Sequence, residues 1–197
     1  MLLYWLIKIL FKPFAKMLFR LKVEGLKNLP KKGGYILAPN HSSSLDPFLM
    51  IASIPRYIRW LIVYEFYDQP KRTWFLKHMR FIRVENNLPK DAFRTLRAGG
   101  VLGVFPEGRR TWTGNLGPGR PGAAALARRT GVPVVPVAIQ GAFYALPRWR
   151  DKIKFTPITI RIGKPLYFPK PQNKKDSAKI DEHNSITIML AIAKMLD

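Results

Sequence analysis

The sequence contains no cysteine, only three histidines, and 12 acidic residues against 34 Lys and Arg. The missing cysteines exclude disulfide staples, thiolate zinc sites and thiol nucleophiles together, and leave the redox compartment open. The scarcity of histidine narrows any imidazole chemistry to His41, His78 and His183. The scarcity of acid leaves a formal charge of +22, which calls for a polyanionic partner, either nucleic acid or anionic lipid headgroups. Also missing is an uninterrupted apolar run of the roughly 20 residues that span a bilayer. The most apolar segment, residues 2–20, meets a cation at every turn. It has no basic region before it and no small-residue cleavage site after it, so it does not read as a signal peptide. What is present is a 47% hydrophobic composition over 197 residues, enough for one folded domain with a sizeable core.

In that first segment, Lys8, Lys12, Lys16 and Arg20 recur at steps of four. On a helix such steps turn by about 400°, so the cations form one slowly drifting stripe. Leu2, Leu3, Trp5, Leu6, Ile9, Leu10, Phe14, Met17 and Leu18 occupy much of the remaining surface. The pattern predicts an amphipathic helix in a membrane interface, its basic face toward headgroups and Pro13 kinking or splitting it. The plainer alternative is a helix docked on the domain's own core. Residues 1–21 are accordingly read as a membrane-associating helical segment, and 22–197 as the folded domain.

Within that domain Lys22 to Lys32 reads as a polar connection, followed by a short buried strand at Tyr35–Ala38. Further strands are expected at 60–64, 81–84, 101–105, 132–139 and 158–162, and helices at 46–54, 73–79, 90–98, 122–129 and 185–196. Gly99-Gly100 and Gly131 supply helix stops, and Asp46-Pro47 supplies a helix start. Strands alternating with helices predict a single α/β domain with a largely parallel central sheet flanked by helices. The patterns of helix-turn-helix, RNP and zinc-finger modules are absent, so lipid is the favoured polyanion and a nucleic-acid-binding protein the remote alternative.

Two polar clusters fall just after buried strands, where α/β sheets place their ligands. The first is Asn40-His41-Ser42-Ser43-Ser44-Leu45-Asp46-Pro47. Histidine titrates near neutral pH and serves as a general base when a partner fixes its tautomer, and Asp46 could do so by accepting from Nδ1. Residues five apart share no helix face, so the pairing requires a turn between them. On spacing alone such a pair is more often structural. The second cluster is Phe105-Pro106-Glu107-Gly108-Arg109-Arg110-Thr111, in which Gly108 permits a tight turn and Arg110 can grip a phosphate. His78 and His183, in mixed polar surroundings, read as solvated.

Together the clusters resemble the signatures of the glycerolipid acyltransferase family, of the 1-acylglycerol-3-phosphate acyltransferase type. Its first signature is a His and an Asp with four residues between them, Asn before the His and Pro after the Asp, as in Asn40 to Pro47. Its third is Phe-Pro-Glu-Gly-Thr-Arg-Ser, matched here with Arg109 and Thr111 as the variant positions. The helix Gly122-Ala123-Ala124-Ala125-Leu126-Ala127 and the run Val132-Pro133-Val134-Val135-Pro136-Val137 are also similar to the family, in the same order along residues 22 to 170. The second signature departs: the family's arginine position falls on Asn86, with Arg83 as a neighbour that faces the other way on a strand.

The resemblance implies acyl transfer to the free hydroxyl of a lysophospholipid, foremost lysophosphatidate. His41 would be the base and Asp46 its orienter. Glu107, Gly108, Arg110, Thr111, Arg83 and Ser43 would serve the acceptor. No cofactor or metal is implied, only acyl-CoA or an acyl carrier protein as co-substrate. The setting implied is the cytoplasmic face of the cell membrane, in a monotopic or peripheral mode. Another lysolipid or an aminolipid is the alternative acceptor.

Overall fold

The computed structural model describes residues 2–67, 70–85, 87–169 and 176–197. Among them a seven-stranded sheet runs β1 (Lys22–Glu24), β7 (Thr159–Ile162), β6 (Val134–Gln140), β2 (Tyr35–Pro39), β5 (Val101–Gly103), β3 (Ile58–Val63) and β4 (Ile82–Val84) from edge to edge. Neighbours pair in parallel except β6 with β7, so the largely parallel α/β sheet expected from the sequence is the one observed. Three-residue β1 lies in the stretch expected as a polar connection. Only pairing of Lys22, Val23 and Glu24 with β7 makes it a strand.

The alternation of side chains along the central strands divides the core in two. Tyr35 and Leu37 of β2, with Val135, Val137 and Ile139 of β6, face one layer. Ile36, Ala38, Val134 and Ala138 face the other. The first layer is covered by α1 (Leu2–Leu18), α2 (Asp46–Ser53) and the short α7 (Ala142–Ala145). The second is covered by α5 (Lys90–Arg97), α6 (Gly122–Thr130) and α8 (Ser177–Leu196). Ala123, Ala124 and Ala127 let α6 lie close on the sheet. The α3 (Tyr64–Tyr67) and α4 (Pro70–His78) segments connect β3 to β4. The last helix begins eight residues before the expected 185, because Arg128 of α6 forms a bidentate pair with Asp181 at 2.7 and 2.8 Å.

The first helix departs from the sequence reading in three ways. It runs unbroken through Pro13. Its wide apolar arc is shared between two surroundings: Tyr4 and Ala15 are buried and Leu3, Ile7, Phe11 and Leu18 pack on the core, while Leu2, Leu6, Ile9, Leu10, Phe14 and Met17 are exposed. And Lys8 leaves the cationic stripe, since its Nζ donates to Ile54 O at 2.5 Å and Pro55 O at 2.8 Å at the end of α2. No helix among the described residues is long and apolar enough to cross a membrane.

Candidate active site

The chain leaves β2 at Pro39 and turns before α2. Asn40 anchors this exit to β6, its Nδ2 donating to Ile139 O at 3.1 Å and its Oδ1 accepting from Ile139 N at 2.7 Å. Asp46 is fully buried. Its Oδ2 accepts from Ser42 N at 2.7 Å, Ser43 N at 2.8 Å and His41 Nδ1 at 2.8 Å. The serine turn therefore wraps the carboxylate, which is how residues five apart come into contact. Asp46 is the first residue of α2, in line with the helix start expected at Asp46-Pro47. Leu45 holds the cap position, and the carboxylate turns back to the preceding loop. A carboxylate only accepts, so Nδ1 carries the ring proton and Nε2 presents its lone pair. Asp46 Oδ1 is buried without a hydrogen bond from the described residues.

The imidazole also rests on a stack of rings. Phe105 lies parallel to it at 3.7 Å and Trp60 lies against Phe105 at 4.7 Å. Trp60 stands opposite Gly103 in the β3–β5 register. A Cβ on Gly103 would fall 2.4 Å from the indole, so only glycine leaves room for the stack.

The second cluster closes around the first. The Glu107 carboxylate accepts from His41 N through Oε1 at 2.7 Å and from Gly117 N through Oε2 at 2.9 Å. The His41 carbonyl accepts from Thr111 N at 2.9 Å. Both backbone ends of His41 are thus held by the turn after β5. Burial pushes the Glu107 carboxyl above its usual range, against the opposing pull of the two backbone N–H groups. Gly108 takes φ +70, the left-handed value that turns the chain here. Arg110 Nη1 donates to Ser44 Oγ at 2.5 Å, which puts its guanidinium at the serine turn.

The expected site residues therefore fall into groups. His41, Asp46, Arg110 and Thr111 meet at the carboxyl ends of β2 and β5. Glu107 and Ser43 meet there too, but both hold the chain: Ser43 is wholly buried and its hydroxyl donates to Leu146 O at 2.8 Å. In this structure the polar atoms of both side chains meet backbone groups. Arg83 lies on edge strand β4, three strands from β2, with its guanidinium 3.1 Å from Glu85 and over the Tyr64 ring at 5.9 Å. Asn86, the departure in the second signature, lies outside the described residues. His78 is exposed and its Nδ1 lies 2.8 Å from Trp74 O. Asn40 and Phe105 stood inside the two motifs without a role, whereas Trp60 had no local signal at all and enters through strand pairing. Among the described residues no three His, Cys, Asp or Glu side chains gather to hold a metal.

These observations define a largely parallel α/β domain that holds a histidine, paired through Nδ1 with a buried carboxylate, at the carboxyl ends of its strands. A family model described as acyltransferase matches residues 20–140, and the chain belongs to that family. A chloroplast 1-acyl-sn-glycerol-3-phosphate acyltransferase of Brassica napus is 27% identical over 170 residues, covering 82% of this chain and 49% of the relative. The enzyme of the same name from Bacillus subtilis is 28% identical over 152 residues, covering 74% and 73%. The chain thus spans about half the length of the plant relatives it matches. In fold it is similar to the 1-acyl-sn-glycerophosphate acyltransferase of Thermotoga maritima, with a TM-score of 0.75 at 23% identity, covering 98% of this chain and 79% of that one.

Proposed function

We propose that this protein transfers a fatty acyl chain from an acyl thioester to the free hydroxyl of lysophosphatidate, giving phosphatidate. The observation that carries this reading is the His41 Nδ1–Asp46 Oδ2 contact of 2.8 Å, with Arg110 beside it on Ser44. Relatives named for this acceptor support it.

In the proposed step His41 Nε2 takes the proton of the acceptor hydroxyl as its oxygen attacks the thioester carbonyl. Asp46 holds the tautomer and stabilises the imidazolium that forms. The tetrahedral centre collapses with cleavage of the C–S bond, and the imidazolium returns the proton to the departing thiolate. Ester and free thiol are the products, and no covalent acyl-enzyme intervenes. Arg110 grips the acceptor phosphate. Glu107 and Ser43 are positioning residues that hold the His41 backbone and the serine turn. Coenzyme A or an acyl carrier protein would carry the donor chain, each anionic against a +22 protein. The exposed face of α1 with its cations Lys12 and Lys16, and Arg20 just beyond it, would seat the domain on the cytoplasmic leaflet, where acceptor and product reside.

The test is acyl transfer from a thioester to lysophosphatidate, lysophosphatidylcholine, lysophosphatidylglycerol and a lyso-aminolipid in detergent. Transfer to lysophosphatidate, abolished by His41→Ala with the far-ultraviolet spectrum intact, is expected. Near-normal transfer by His41→Ala sinks the mechanism, and transfer only to another acceptor changes the substrate but keeps the chemistry.

A further inference from the structure

Residues 148–155 read Arg-Trp-Arg-Asp-Lys-Ile-Lys-Phe and all eight are exposed, outside any helix or strand. Cationic and apolar side chains alternate along them, with Asp151 the one acid. Trp149, Ile153 and Phe155 hold their apolar surface in solvent at 55, 49 and 59%. Nothing in the acyl-transfer chemistry accounts for them.

Neighbouring elements enlarge this strip into a patch. Trp149 packs edge-on to Phe143 at 5.3 Å, and Phe143 to the exposed Tyr144 at 5.6 Å. Arg148 lies over the exposed Trp112 at 4.2 Å. The patch adjoins the site, because Ser43 Oγ donates to Leu146 O and Thr111 N donates to His41 O. It also adjoins α1, because Phe155 packs on Phe19 at 5.7 Å, and Met17, Leu18, Arg20 and Phe155 share the wall of a shallow cavity of about 360 Å³.

Topology places these pieces at one end of the molecule. Strand β7 runs antiparallel to β6 and parallel to β1, so β1 begins where β2 and β6 end. The carboxyl end of α1, which leads into β1, therefore lies at the same end of the sheet as His41 and α7.

We propose that Trp112, Tyr144, Trp149, Ile153 and Phe155, with the cations between them, form a second lipid-contacting surface that lays the mouth of the site against an anionic membrane. Tryptophan and tyrosine favour the headgroup boundary, where the ring is apolar and its polar tip stays wet. Lysine and arginine bury their stems and keep their charge at anionic headgroups. One exposed carboxylate among four cations in 148–155 matches such a surface in sign. With α1 this gives two contacts flanking the site, which sets its orientation as well as its attachment. The inference rests on the reading of this protein as one that works at a lipid surface.

The full chain is sedimented with vesicles of phosphatidylcholine and phosphatidylglycerol, and tryptophan quenching by brominated lipid is recorded. Tyr144→Ser/Trp149→Ser/Phe155→Ser is compared with an α1 variant, Leu6→Ser/Leu10→Ser/Phe14→Ser. Trp149→Phe serves as a change that keeps the fold. The expected results are a fall in partitioning of at least about tenfold in the patch variant and a smaller quenched fraction in Trp149→Phe than in the parent, since Trp5 and Trp112 still report contact. If the patch variant binds like the parent and Trp149→Phe is quenched like the parent, while the α1 variant is released, the lipid contact belongs to α1 alone and this proposal is wrong. It is equally wrong if the patch variant keeps its partitioning but raises the KM for the thioester in detergent. If the parent itself ignores vesicles, the lipid-surface reading fails with it.

Discussion

At the scale of single residues, the site depends on one carboxylate oxygen. Asp46 Oδ2 takes two backbone N–H groups as well as His41 Nδ1, so the same atom shapes the serine turn and sets the tautomer. An amide at this position can turn its nitrogen toward the ring and place the proton on Nε2, where it would block the proposed base. Asp46→Asn is therefore expected to lower kcat by about 10³–10⁴-fold, as in the hydrolase triads that share this logic, with a much smaller change in KM. Steady-state kinetics with circular dichroism as a folding control checks this. A loss confined to KM would assign Asp46 to binding instead.

The site was legible in the sequence to the extent that its residues were close along the chain. His41 and Asp46, or Glu107 through Thr111, announce themselves because a short turn after a buried strand has few other uses for such groups. What each side chain touches was not legible. Glu107 and Ser43 stood beside Arg110 and His41 in the motifs, yet both are consumed by the backbone. The ring stack of His41, Phe105 and Trp60 needs the register that sets Trp60 against Gly103, and no local pattern encodes a partner 43 positions away.

Among the elements, α1 shows how tertiary packing redistributes a local pattern. Its periodicity predicts a cationic stripe, and three of the four cations remain exposed. Lys8 instead meets the carbonyls of Ile54 and Pro55 and stands partly buried, which lowers its pKa from the ordinary 10.5 to about 8, chiefly by desolvation and further through Lys12. The sign of the consequence follows. Between about 8 and 10.5 the folded protein holds fewer protons than the unfolded chain, so this group makes stability rise with pH across that window. As pH falls through 8 the contribution is lost. Thermal unfolding in the lower half of that window should show the rise in the parent and a flatter profile in Lys8→Met. An unchanged slope in the variant would mean that Lys8 is not the titrating group. Pro13, expected to break or kink the helix, leaves it unbroken; the packing of Phe11, Ala15 and Leu18 on the core holds both sides of it in place.

For the whole molecule, charge and shape act together. With +22 overall, the proposed attachment to anionic vesicles would have a large Coulomb component, of about 1 kcal/mol for each cation near the surface. Raising salt from about 0.1 to 1 M shortens the screening length from about 10 to 3 Å. Partitioning into phosphatidylglycerol-containing vesicles should then fall by about tenfold or more, while the apolar part, carried by α1 and the Trp149 patch, persists. A partition coefficient indifferent to salt would mean that the cations face away from the membrane.

By itself, the sequence determined the alternation of strands and helices, the largely parallel sheet, and the identity of the two chemical clusters. Each of these is written in periodicity, in glycine and proline punctuation, or in neighbours a few residues apart, and such signals act locally. Only the tertiary structure decided that β1 is a strand, that Glu107 reaches back to the His41 backbone, that Trp60 underlies the imidazole, and that the carboxyl end of α1 and Phe155 of the 148–155 strip meet at the end of the sheet that holds the site. Those outcomes depend on which strands pair and in which direction. That pairing is settled by burying both faces of one sheet at once, which no stretch of chain specifies alone.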